Sequence, residues 1–231
     1  MPLTHFTLTG VDESTSLQGV ASLSAEFTLA EWGFLYSPKR QGQPGRYPPV
    51  SMIKRAFADL PAHVRVALHV CGAGVADLLN GNDEVTRGLV GMVGDRGGRV
   101  QLNFNFQRGE IDLLLIKNLL DIFPAVTFIT QHNPANIDVL PALREHRNHA
   151  ILFDASGGRG LSPNEWATPL NGVRCGYAGG LGLDNIADQM VVIKDAVGEH
   201  PFWVDMEGKL RDENDCFSLD LSRLCLVVAS R

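Results

Sequence analysis

The chain has 231 residues, 45% of them hydrophobic and 20% charged, which suits one large globular domain with a sizeable core. The formal net charge of −6 excludes a general electrostatic draw toward nucleic acid or an anionic membrane. An anionic small molecule would have to be held locally, by backbone N–H groups or a few placed cations. The opening "MPLTHFTLTG" has no basic region leading into an apolar stretch, and no apolar run approaches the length of a membrane span. A cytoplasmic protein is expected. Cys71, Cys175, Cys216 and Cys225 form no C-x-x-C pair, and no metal-ligand spacing stands out, so neither a disulfide framework nor a metal or cofactor is expected.

Apolar, β-rich runs recur with helical stretches between them. "HFTLTGV" (5–11) is the first and "AEWGFLYS" (30–37) the second. A helix over "VSMIKRAFADL" (50–60), with Pro48 and Pro49 at its start, precedes the third run, "VRVALHV" (64–70). The Gly-rich patch "VGMVGDRGGR" (90–99) reads as a loop before the fourth run, "RVQLNFNF" (99–106). A helix over 111–123 leads to "AVTFITQHN" (125–133), then "HAILFDA" (149–155), "GVRCGYA" (172–178) and "PFWVDME" (201–207), with helices over 183–198 and within 219–230. Eight strands alternating with helices over this length predict an α/β fold, a single-domain (β/α)8 TIM barrel spanning 1–231, with an open doubly wound sheet as the rival.

In a small barrel alternate strand residues point inward, and those at the C-terminal strand ends line the mouth. Parity puts Gln101, Asn103 and Asn105 on one face of the fourth strand, Thr7 with Thr9 in the first, and His69 with Cys71 in the third. Leu152 shares a face with Asp154, and Trp203 with Asp205 and Glu207. A polar group thus falls near the end of most strands. Buried amides and carboxylates at so many strand ends are costly unless they serve a site.

Two neighbouring strands stop at glycine clusters, "FDASGGRG" (153–160) and "YAGGLGLDN" (177–185). Such loops turn tightly and present backbone N–H groups, and the second leads into a helix N-terminus. In a barrel, loops after adjacent late strands can share one phosphate. The phosphate-binding candidates are Gly158, Arg159 and Gly160 with Gly179, Gly180 and Leu181.

Together "ILFDASGGRGLSPNEW" and "YAGGLGLDNI" resemble the phosphoribosylanthranilate isomerase family, (β/α)8 enzymes of tryptophan biosynthesis. The family's pattern is an L-L-D strand end, G-G-T/S-G, a Trp, and G-G-L-x-x-x-N-V. Asp154, Gly157, Gly158, Gly160, Trp166, Gly179, Gly180, Leu181 and Asn185 match it. Weaker echoes are "VQLN" for the family's V-Q-L-H, "WGFLYSPKR…GRYPP" for its G-F-x-F-x-x-S-x-R-Y, and "WVDMEG" for its V-D-V-S-S-G-V-E. The resemblance implies an Amadori rearrangement of a phosphoribosylated arylamine. A general acid opens the ribose ring to a Schiff base, and a general base removes the C2′ proton. It implies Asp154 as the acid and Arg46, or less favourably Arg40, as the partner of an aglycone carboxylate.

The sequence departs from the family at the base. Thr9 stands where the family's first strand has its catalytic cysteine, Thr7 where it has lysine, and Asn103 where it has histidine. A threonine hydroxyl is too weak an acid to serve as a resting base, so Thr9 is expected to hydrogen-bond substrate or water. The base is sought among Cys71, Asp205 and Glu207, with Lys209 close by in sequence. The expected reading is an isomerase acting on a phosphorylated aminosugar. The alternatives are another reaction class on a phosphorylated substrate, or a binding barrel without chemistry. The expected partner is a phosphorylated small molecule, not nucleic acid or membrane; the oligomeric state is not legible.

Overall fold

The computed structural model describes residues 3–43, 45–109 and 111–230. Eight strands, β1 (Leu3–Thr9), β2 (Ala30–Tyr36), β3 (Arg65–Cys71), β4 (Arg99–Asn103), β5 (Thr127–His132), β6 (His149–Phe153), β7 (Cys175–Ala178) and β8 (Phe202–Met206), close into a barrel in chain order. Every neighbouring pair is parallel, and β1 closes on β8 with Thr7 opposite Asp205. The helices are α1 (Leu17–Glu26), α2 (Val50–Asp59), α3 (Ala73–Leu79), α4 (Glu84–Asp95), α5 (Leu113–Ile122), α6 (Val139–Leu143), α7 (Ile186–Val197) and α8 (Leu219–Ala229). Two of them follow β3, and the β6–β7 connection carries none. No helix among the described residues is long and apolar enough to cross a membrane.

Two sequence expectations are corrected. The patch at 90–99 is not a loop: it lies mostly within α4, which Asp83 caps by accepting from the Thr86 amide at 3.0 Å. Thr86, Leu89, Val90 and Val93 recur at helical spacing and are buried, an apolar stripe stronger than the glycine signal. The fourth strand ends at Asn103 rather than 106. The Asn136 side chain there takes over the backbone, accepting from Phe106 N at 2.8 Å and donating to Phe104 O at 3.0 Å.

Outward residues such as Leu8, Trp32, Phe34, Leu68 and Phe128 pack beneath the helices in one continuous core. The barrel interior is divided. On one side Ile129, Ala150, Leu152 and Trp203 form a small apolar cluster. On the other side the Arg99 guanidinium grips Glu31 from Nε at 2.8 Å and again from Nη2, and donates to Thr7 Oγ1 at 2.8 Å. Arg99 also lies 4.5 Å from the centre of the Trp203 ring, joining the two halves. Trp203 fits because β7 offers Gly176, where a Cβ would fall 2.0 Å from the indole. Burial pushes the Glu31 carboxyl up, but Arg99 beside it prevails and holds it at about 2.

Removing Arg99 would strand a buried carboxylate. Arg99→Met should cost about 3–5 kcal/mol in denaturant unfolding at neutral pH. Because the folded pKa of Glu31 lies below its ordinary value of 4.5, the pair's contribution is complete above that value and is lost as pH falls toward about 2. The deficit of the variant should therefore shrink in acid; a pH-independent deficit would contradict the assignment.

Candidate active site

The C-terminal strand ends surround a cavity of about 840 Å3, within the usual range for small-molecule sites. It brings together Asp154, Cys71, Asp205, Glu207, Arg46, Asn103, Gly158, Arg159, Gly160, Gly179, Gly180 and Leu181. Of the residues expected in the site, Thr9 alone does not line it. It is fully buried and donates to Asp205 Oδ1 at 2.7 Å.

Asp154, just past β6, is almost entirely buried and accepts from four donors. Oδ1 takes Ser156 N at 3.2 Å and Ser156 Oγ at 2.8 Å, while Oδ2 takes Gly158 N at 2.6 Å and Gln131 Nε2 at 2.9 Å. Two N–H groups expected to face an anion are thereby engaged within the loop: Gly158 N on Asp154, and Arg159 N on Ser156 Oγ at 3.1 Å. The N–H groups of Gly160, Gly180 and Leu181 have no hydrogen-bond partner among the described residues. The two glycine loops lie against each other. A Cβ on Gly180, at φ +58°, would sit 2.8 Å from Gly160 O, and one on Gly179 would sit 2.7 Å from Leu161 O. Only glycine permits this backbone-to-backbone approach. Trp166 pins the long β6–β7 connection, donating to Gln189 Oε1 on α7 at 2.8 Å and packing edge-on to Tyr177.

The opposite wall is set by β8. Burial pushes the Asp205 carboxyl well above the usual carboxylate range, Thr9 opposes, and the nearby Glu207 carboxylate adds to the rise. Glu207 is also raised, first by burial, against the pull of Arg46, whose Nη1 donates to Oε1 at 2.9 Å. Lys209 does not reach Glu207; it pairs with Asp184 at 2.6 Å. His69 Nε2 lies 3.9 Å from Asp205 Oδ2, and burial lowers its pKa to about 4, leaving it neutral. Burial raises the Cys71 thiol to about 11, and Sγ donates to His69 O at 3.5 Å, which favours the thiol form.

Sequence reasoning missed Gln131, Tyr47 and Arg108 on the cavity wall. Gln131 was findable: it shares parity with Ile129 at the end of the fifth strand, the inward face. Tyr47 sits on an irregular loop and Arg108 in a short 3-10 turn (Phe106–Arg108), where strand parity gives no signal. No group of three or more His, Cys, Asp or Glu residues among the described ones could hold a metal ion.

No family model matches the chain, and no curated protein matches it. Solved structures do. The TrpF protein of Jonesia denitrificans superposes with a TM-score of 0.63 at 14% identity, over 98% of this chain and 97% of that one. The phosphoribosylanthranilate isomerase of Thermus thermophilus gives 0.62 at 16%, over 98% of each chain. A phosphoribosyl anthranilate isomerase in complex with reduced 1-(o-carboxyphenylamino)-1-deoxyribulose 5-phosphate gives 0.59 at 14%, again over 98% of each. The chain has the fold of these isomerase structures from end to end.

A carboxyl whose folded pKa is raised stabilises the fold only while protonated, and that contribution is lost as pH rises through the folded value. Asp205→Asn should therefore raise the melting temperature at neutral pH, with the gain shrinking as pH falls toward the ordinary carboxylate range. An unchanged or lowered melting temperature at neutral pH would contradict a raised Asp205.

Proposed function

We propose that this protein is an isomerase related to the phosphoribosylanthranilate isomerases, converting a phosphorylated aldosylamine to the 1-amino-1-deoxyketose phosphate by acid–base chemistry. The observation that carries the reading is the placement of Asp154. This carboxylate is bonded to the glycine loop through Gly158 N and lines the same cavity as the raised carboxyls of Asp205 and Glu207. An acid beside a phosphate cup and a base of elevated pKa across the cavity are what ring opening and proton abstraction require.

In this reading the phosphate lies between the two glycine loops, on the N–H groups of Gly160, Gly180 and Leu181, with Arg159 at the rim. Capture of the phosphate draws Gly158 N–H away from Asp154 Oδ2, and that oxygen is then open to hold a proton. Asp154 gives this proton to the ring oxygen as the C1–O bond breaks and C1 becomes an iminium carbon. Glu207, released from Arg46 by an anionic group of the substrate, takes the C2 proton to give the enolamine. A solvent proton adds at C1, Glu207 releases the C2 proton to solvent, and return of the enol proton to Asp154 completes the ketone. Arg46 is left on the aglycone side of the cavity.

A second reading, a different reaction class on a phosphorylated substrate, draws support from the first strand. Thr9 is sealed under Asp205, which favours a base outside β1, and Asn103 stands where the family has histidine. Rescue of a tryptophan auxotroph lacking the isomerase separates the two. Growth with the wild-type gene is expected under the first reading, with Asp154→Asn and Glu207→Gln each lowering turnover about 100-fold or more. Phosphate binding without rescue would favour the second reading. Full activity in Asp154→Asn would overturn the mechanism.

A further inference from the structure

Among the described residues four buried side-chain polar atoms lack a hydrogen-bond partner: Arg96 Nε, Tyr177 OH, Trp203 Nε1 and Gln101 Oε1. Only Gln101 belongs to a residue that lines the cavity. It stands on β4, 4% exposed, deeper than Asn103 on the same inward face. A buried carbonyl oxygen without a donor is expensive, so its presence in the floor of a site points to a ligand group that supplies the donor.

The neighbouring bonds fix which end of the amide is left without a partner. The Cys71 thiol stays protonated and its Sγ–H is directed to His69 O at 3.5 Å. The sulfur is then left to accept, and it does so from Asn103 Nδ2 at 3.4 Å. Asn103 Oδ1 in turn accepts from Gln101 Nε2 at 2.8 Å. One proton on sulfur thus orders both amides and leaves Gln101 Oε1 as the open acceptor. Asp205, on β8, lines the same cavity. Its Oδ1 is occupied by Thr9, and burial favours its neutral acid form. The neutral acid can donate as well as accept.

We infer that Gln101 and Asp205 form a floor subsite for a hydroxyl or amino group of the substrate, Gln101 Oε1 accepting its proton and Asp205 completing the pair. This rests on the reading above that a phosphate is held at the mouth, and it makes the site selective for hydroxylated sugar or aminosugar phosphates over phosphates lacking such a group. Gln101 is a specificity-determining residue in this arrangement, and its removal should act on the sugar and not on the phosphate.

Isothermal titration of the full chain with inorganic phosphate, ribose and ribose 5-phosphate tests it, with wild type and Gln101→Met. Wild type should bind ribose 5-phosphate more tightly than phosphate, and Gln101→Met should lose about tenfold for ribose 5-phosphate with phosphate affinity unchanged. Should the variant fail to fold, the side-chain amide resonances of Gln101 in the nitrogen-15-labelled wild type give the same answer. They should shift with ribose 5-phosphate and stay in place with phosphate. Equal affinity of variant and wild type for ribose 5-phosphate, or unmoved amide resonances, would overturn the subsite. Failure of phosphate to bind wild type, with ribose still sensitive to Gln101→Met, would instead overturn the phosphate reading and leave the floor standing. No binding of any of the three ligands would overturn both.

Discussion

The Asp154 carboxylate gathers Ser156 N, Ser156 Oγ, Gly158 N and Gln131 Nε2 onto two oxygens, and the mouth of the barrel is organised around it. Three of these donors come from the glycine loop that follows β6, so the loop folds back over its own strand end. The fourth comes from β5 and ties that loop to the neighbouring strand. With the first loop so fixed, the second, at Gly179 and Gly180, can lie against residues 160–162 at a separation that excludes any Cβ. The close pairing of the two loops is therefore a consequence of one carboxylate's hydrogen-bond demand together with two glycines. In the proposed function this couples Asp154 to the phosphate, since what pulls on Gly158 N–H acts on Asp154.

Across the cavity the physical logic is reversed. Asp154 is surrounded by donors, whereas Asp205 has Thr9 as its close donor and a neutral His69 at 3.9 Å. Burial therefore raises it, and the raised Asp205 stands in the same electrostatic field as Glu207. In the proposed chemistry the opposite proton roles fall to Asp154 and Glu207, while Asp205 holds its own proton. The stability for such an arrangement comes from lower in the barrel. There the Glu31–Arg99 pair, Thr7 and the Trp203 ring fill the interior, and the continuous core under the helices holds the strands in register.

The barrel was legible because its strands carry a period of two with polar residues at inward ends, and parity alone puts His69, Gln101, Asp154, Asp205 and Glu207 on the inward side. The two glycine loops were legible as a pair for the same reason: each ends a strand. What the sequence hid is partnership. Nothing in the string links Gln131 to Asp154, Thr9 to Asp205 or Arg46 to Glu207, since 23, 196 and 161 residues separate them. Helix α4 was misread because Gly88, Gly91 and Gly94 sit on a helix whose buried stripe, not its glycines, decides its form. The desolvation that raises the Cys71 thiol is likewise hidden, because intrinsic acidity is visible in a sequence and burial is not.

The central claim is that Glu207 and Asp154 move protons on opposite sides of a phosphorylated sugar. The most direct measurement follows an N-(5-phosphoribosyl) arylamine in deuterium oxide by proton NMR. The mechanism requires solvent deuterium at C1 of the ketose product with wild type, and loss of that incorporation together with turnover in Glu207→Gln. Incorporation and turnover at the wild-type level in Glu207→Gln would contradict it.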